Sequence, residues 1–235
     1  MTTTKVVAFG GGHGLAASLR ALRRCTTYFD LDITAVVTVA DDGGSSGRLR
    51  AERGALPPGD LRQALVALAG DDPVRQLSAE LFQYRFAAVE SQMPGTDTLA
   101  GHAVGNLVLL GLFEMLGDPV AALEHAGRLL GAAGRVLPMA CGPLCIEADV
   151  RGVNPDRPDE VVVVRGQHAV AVTPGRVESV RLTPTAPAAC KEAVAAVRDA
   201  DWLIFGPGSW YTSVIPHLLV PVITRCVPFK WLYPT

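Results

Sequence analysis

Several protein classes are excluded by what this chain lacks. Its 235 residues hold five cysteines (Cys25, Cys141, Cys145, Cys190 and Cys226), an odd and scattered set. That pattern is no disulfide framework. Cys141 and Cys145 stand four apart without the second close pair a zinc site needs. Val104 to Leu116 is apolar, but it is short and broken by Asn106 and Glu114, so it reads as no membrane span. Neither sign of charge dominates: 21 basic against 23 acidic residues leave a net charge of -2. There is therefore no electrostatic case for nucleic acid or for an anionic membrane. The densest basic stretch, Arg48 to Arg53, also holds Glu52 and reads as a solvated loop or helix face. The opening Met-Thr-Thr-Thr-Lys leads straight into a strand, with no basic stretch followed by an apolar run, so no signal peptide is read. The expected location is the cytoplasm.

Apolar residues, 49% of the chain, are enough for a substantial core, and 24 glycines with 17 prolines fit many sharp loops. Strand-like runs at Val6 to Phe9 and Leu31 to Val39 alternate with a helical pattern from Gly14 to Arg24. Helices are predicted at Leu61 to Leu68 with Asp60 as N-cap, at Val74 to Tyr84, at Asn106 to Leu116, and from Pro119 to about Leu130 capped by Asp118. Arg135 to Pro138 and Leu144 to Val150 read as short strands. Val161 to Val164, His168 to Val172 and Val177 to Leu182 read as antiparallel strands around a turn at Thr173 to Gly175. A helix follows over Pro187 to Ala200. Trp202 to Phe205 then reads as a buried strand, and Val214 to Val220 as the start of a helix. The pattern predicts one α/β domain over 1–235: a Rossmann-like, three-layer α/β/α fold with a mostly parallel sheet and a small antiparallel insertion or extension around 161–182.

Chemistry-bearing residues gather after the strands. Gly10, Gly11, Gly12, His13 and Gly14 follow the first. Glycines there let a backbone approach phosphate, and the next helix start adds a favourable dipole. Asp41 and Asp42 follow the second strand, with Ser45 and Ser46 beyond. A carboxylate at that place accepts from ribose hydroxyls or helps hold a divalent ion. Consecutive strand residues point oppositely, so one of the two aspartates is expected to face the site. Asp60 and Arg62 stand at a helix start after two prolines. Asn106 follows a glycine-hinged loop and offers an amide to a base or sugar edge, or caps its helix. Gly206, Gly208, Ser209 and Tyr211 follow the late strand, where Tyr211 and Trp210 can stack on a ring. No nucleophile–histidine–acid set can be assigned from spacing.

Taken in order, Gly10-Gly-Gly-His-Gly-Leu15, Val37 to Arg50, Leu56-Pro-Pro-Gly-Asp-Leu-Arg62, Phe82-Gln-Tyr-Arg-Phe86, Gly101-His-Ala-Val-Gly-Asn106 and Leu203 to Pro216 resemble the YvcK family of gluconeogenesis factors. That family is related to the 2-phospho-L-lactate transferases of coenzyme F420 synthesis, and the resemblance covers about residues 5 to 221. It implies a cytoplasmic protein that binds a UDP-sugar, notably UDP-N-acetylglucosamine. The roles it implies lie in carbon metabolism, peptidoglycan synthesis and cell shape. A homodimer and cell-wall-synthesis partners are implied as well; no cofactor is required and no catalytic residue is assigned. By position, Gly11, Gly12 and His13 would meet the nucleotide or its phosphates. Asp42, Asp60 and Asn106 would line the cleft, and Gly206 to Tyr211 would close it. Through the transferases, the resemblance also implies a magnesium-dependent transfer of a phospho-lactyl-type group, with the ion on Asp42 or Asp60. A third alternative is an interaction protein whose cleft is a sensor or relic. Resemblance fades after Pro221, which implies a shortened or divergent C-terminal part.

Overall fold

The computed structural model describes residues 2–89 and 97–227. The last residues of the unusual C-terminal stretch, from 228 onward, lie outside them. Seven strands are described: β1 (Thr4–Gly10), β2 (Leu31–Val37), β3 (Arg135–Pro138), β4 (Cys145–Arg151), β5 (Val161–Arg165), β6 (Arg176–Thr183) and β7 (Trp202–Phe205). Eight of the helices are α1 (Gly12–Cys25), α2 (Gly44–Arg53), α3 (Pro58–Leu68), α4 (Pro73–Gln83), α5 (Val104–Leu116), α6 (Pro119–Leu130), α7 (Gln167–Val172) and α8 (Lys191–Asp199). A π-turn at Trp210–Val214 and short helices at Ile215–Leu218 and Pro221–Thr224 follow β7.

Four parallel strands form one sheet in the order β3-β2-β1-β7. The last five residues of both β1 and β2 are buried, as expected of parallel strands covered on both faces. Helices α1, α3 and α6 pack against this sheet, with α4 and α5 outside α3, while α8 packs against β1 and β3. Leu19 in α1, Leu61, Leu65 and Leu68 in α3, and Leu123 and Leu130 in α6 are fully buried. Truncating one of these to Ala would cost about 2–5 kcal/mol. A second sheet, β5-β4-β6, is antiparallel. Its alternating strand β4 turns Ile146, Ala148 and Val150 into the same apolar cluster as β1 and β2.

Four readings need correction. His168 to Val172 is the short helix α7, not a strand. Trp202 to Phe205 is an edge strand whose Trp202 is 65% exposed, not a buried one. Asp60 does not cap α3: Pro57 is the N-cap and Asp60 sits in the first turn. Asn106 does not cap α5, where Ala103 holds that position. The helix from Gly44 to Arg53 takes in the basic stretch Arg48 to Arg53. Asp118 does cap α6, its carboxylate accepting the Val120 N–H at 2.9 Å.

Candidate functional site: the cleft at the parallel strand ends

β1 lies between β2 and β7, so chain connections leave it in opposite directions. That switch point opens a crevice at the carboxyl ends of the strands, where ligands bind in open α/β sheets. Gly10 to Gly14 sits there. Gly11 is the extended N-cap of α1, and Gly12 follows at φ +56°. A Cβ on Gly11 would collide with the Asp60 carboxylate, and one on Gly14 with the Pro207 carbonyl. The glycines therefore let α3 and the loop after β7 close on the turn. The Gly12 N–H donates to Asp60. His13 is exposed in the first turn of α1.

The two aspartates after β2 diverge. Asp41 Oδ1 accepts the Gly43 N–H at 3.0 Å, and its other oxygen lies beside Gly59. Asp42 turns away from this turn, and its Oδ1 accepts the His168 N–H of α7 at 3.0 Å. Ser46 Oγ accepts the Gly59 N–H at 3.0 Å, tying the starts of α2 and α3 together. Asp60, 8% exposed, is pushed up to about 7 by burial and by the nearby Asp41 charge; the Gly12 N–H and Arg62 act in the opposite direction.

Ser45, His102 and Asn106 form a buried network. Asn106 Nδ2 donates to Ser45 Oγ at 2.9 Å, and Ser45 Oγ shares a hydrogen bond with His102 Nδ1 at 2.9 Å. Burial, then the Arg48 charge, holds the His102 pKa below its ordinary value. Among the described residues, Asn106 Oδ1, Arg62 Nε and Thr38 Oγ1 are buried without a partner. Arg62 is 5% exposed, and among the described residues it makes no ion pair.

The late side is held by aromatic and histidine contacts. Phe9 and Phe205 stack at 4.5 Å, and the His217 ring meets Phe9 edge-on at 5.3 Å. Fully buried His217 places Nδ1 3.1 Å from the Ser213 carbonyl and Nε2 3.0 Å from the Val36 carbonyl. Ser18 Oγ donates to the Gly206 carbonyl at 2.9 Å. Gly208, Ser209, Trp210 and Tyr211 are exposed beyond this anchor.

The structure thus brings Gly11 and Gly12 against Asp60, Asp41 and Ser46 against Gly59, and Gly14 against Pro207 and Gly208, while Asn106 reaches Ser45 and Arg62 packs at Gly105. Asp42 is committed to α7. Spacing in the sequence assigns no role to His102 or His217, which the fold places in these contacts. The glycines flanking His102 were visible, but its partner Ser45 stands 57 residues away. A separate cleft of about 550 Å³ opens beside Arg135 at the start of β3, at the other end of the sheet. There Arg75 and Arg135 are already paired with Asp72 and Glu124.

Residues 6–230 match the family described as 2-phospho-L-lactate transferase CofD. The chain belongs to this CofD family. Within it, the chain is 57% identical over 219 residues to a Mycobacterium tuberculosis protein named "Putative gluconeogenesis factor", covering 93% of this chain and 60% of that one. It is 41% identical over 232 residues to the gluconeogenesis factor of Bacillus subtilis, covering 97% and 66%. A crystal structure of a UPF0052 family member from Bacillus halodurans superposes with a TM-score of 0.83 at 38% identity, over 97% of this chain and 66% of that one. The chain therefore spans about 60% of the length of the mycobacterial relative. Among the described residues, no helix is long and apolar enough to cross a membrane.

Proposed function

We propose that the crevice binds a UDP-sugar, UDP-N-acetylglucosamine foremost. On this reading the chain is a cytoplasmic regulatory protein that reports nucleotide-sugar supply to carbon metabolism, cell-wall synthesis and cell shape. The observation that carries the reading is a glycine turn and helix start closed against Asp60 at the strand ends, with Asn106, whose Oδ1 is unpartnered among the described residues, linked through Ser45 to the start of α2. Backbone N–H groups at the start of α1 suit a diphosphate. Asp41 suits hydroxyls of ribose or sugar, and Asn106 Oδ1 suits a donor on the base or the sugar. Trp210 and Tyr211 offer exposed rings for stacking. The names of the relatives agree with a role in carbon metabolism. A homodimer and cell-wall-synthesis partners belong to the same proposal.

One observation favours transferase chemistry as a second reading: Asp41 and Asp60 lie close enough for the charge of one to raise the pKa of the other. Among the described residues no cluster of three acidic, histidine or cysteine side chains could hold a metal alone. Two carboxylates suffice for magnesium when substrate phosphates and water complete its shell. The ion would supply charge neutralisation at a transferring phosphoryl group. Phosphorus NMR of the protein with UDP-N-acetylglucosamine, magnesium and a panel of hydroxyl acceptors, water included, separates the two. Binding with no release of UDP or UMP supports the regulatory reading. Magnesium-dependent release that is lost in Asp60→Asn supports the transferase.

A further inference from the structure

Arg62 is a buried guanidinium without a counter-ion in contact. It is 5% exposed, its Nε has no partner, and among the described residues no hydrogen bond or ion pair involves it. An uncompensated buried charge destabilises a fold strongly. Such a group persists where something the bare protein lacks pairs with it.

The surroundings say what that partner is. Arg62 leaves α3 just after its first turn and runs against the start of α5, its Cδ 2.9 Å from where a Cβ on Gly105 would stand. Only glycine at 105 leaves room for it and for the Phe82 ring. Two more guanidiniums flank the same segment. Arg48 Nη2 donates to the Ala100 carbonyl at 2.6 Å, and Arg85 Nη1 donates to the Gly101 carbonyl. Arg85 is close enough for its charge to weigh on both Arg62 and His102. The acidic groups that act on Arg62 are Asp60 and Asp41, through space and without an ion pair. Three like charges from α2, α3 and the stretch after α4 are therefore held around residues 100–106 by carbonyls and by packing. Planar guanidiniums so arranged fit the oxygens of a phosphoryl or carboxylate group.

We infer that Arg62, with Arg85 near it, forms an oxyanion subsite at the start of α5, filled by a phosphoryl or carboxylate group of a bound molecule. The inference does not depend on the identity of the nucleotide. The oxyanion comes either from the diphosphate of the nucleotide sugar or from a separate small acid bound next to it.

Thermal melting with inorganic phosphate as the probe tests this on the full chain. Wild type should melt about 3 to 6 °C higher at tenfold excess over the phosphate Kd than in chloride buffer. Arg62→Gln should melt at or above wild type in chloride and lose that rise, while Arg85→Gln should keep part of it. Melting of Arg62→Gln below wild type in chloride would make Arg62 a structural residue and overturn the inference. So would an equal phosphate rise in both proteins, or none in wild type. Saturating UDP-N-acetylglucosamine separates the sources. If it abolishes the phosphate-dependent rise, the oxyanion is the ligand's diphosphate; if the two rises add, it belongs to a second molecule. Either result supports the subsite. A phosphate rise through Arg62 with no response to the nucleotide sugar would keep the subsite and count against the nucleotide-sugar reading alone.

Discussion

Asp41 and Asp42 are adjacent in sequence, yet they hold together different parts of the molecule. Asp41 stays at the crevice, accepting from Gly43 at 3.0 Å and facing Gly59. Asp42 reaches His168 at 3.0 Å, 126 residues onward, and secures α7. The strand has ended before either residue, so local hydrogen bonding rather than the pleat sets their directions. Asp42→Ala should lower stability by about 1 kcal/mol, as for a lost helix cap, and leave ligand affinity within twofold. Asp41→Ala should weaken UDP-sugar binding at least tenfold. Denaturant melts and calorimetry on both variants check this split.

His217 predicts a pH dependence. Burial depresses its pKa to about 4, with hydrogen bonds to the Val36, Ser213 and Val214 backbone partly opposing. The unfolded chain takes up this proton near the ordinary value of 6.5, while the folded chain resists until about 4. The stability that depends on neutral His217 is thus full above about pH 6.5 and is lost progressively as pH falls towards 4, by up to about 3 kcal/mol. A series of melts from pH 8 to pH 4 should show this slope in wild type, and His217→Gln should flatten it.

Thr38 carries a buried hydroxyl without a partner. Thr38→Val keeps the shape and removes the unpaired oxygen. It should raise the stability of the ligand-free protein by roughly 1 kcal/mol, read as a higher urea midpoint at unchanged slope.

Gly14 has the Pro207 carbonyl where a side chain would begin. The obstacle is backbone, so a rotamer change cannot relieve it. Gly14→Ala should cost about 1–3 kcal/mol and push the loop after β7 away from the glycine turn. Its signature is weaker ligand binding together with faster proteolysis between Gly206 and Tyr211.

The parallel sheet was legible because β1 and β2 are short, β-branched runs ending in glycine or aspartate, and the strand-end loops announced the crevice. Helices α4 and α6 were legible from proline and aspartate at their starts. Other elements depend on contacts that no local pattern records. His168 to Val172 alternates like a strand, but Gly166 at φ +99° turns the chain and Asp42 accepts from the helix that follows. Gly44 to Arg53 carries poor helix formers at its start, yet Ser45 and Ser46 are pinned from α5 and α3. At the site, glycines and acids stood out by composition. His102 and His217 became visible only when folding brought Ser45 to one and the Val36 carbonyl to the other.

The most direct test of the central claim is calorimetric titration of this chain with UDP-N-acetylglucosamine, repeated with GDP and with the Asn106→Leu variant. The account predicts saturable one-to-one heat for the UDP-sugar, weaker or no heat for GDP, and at least a tenfold loss of affinity in Asn106→Leu. Absence of heat with the UDP-sugar, preference for GDP, or unchanged affinity in the variant would contradict it.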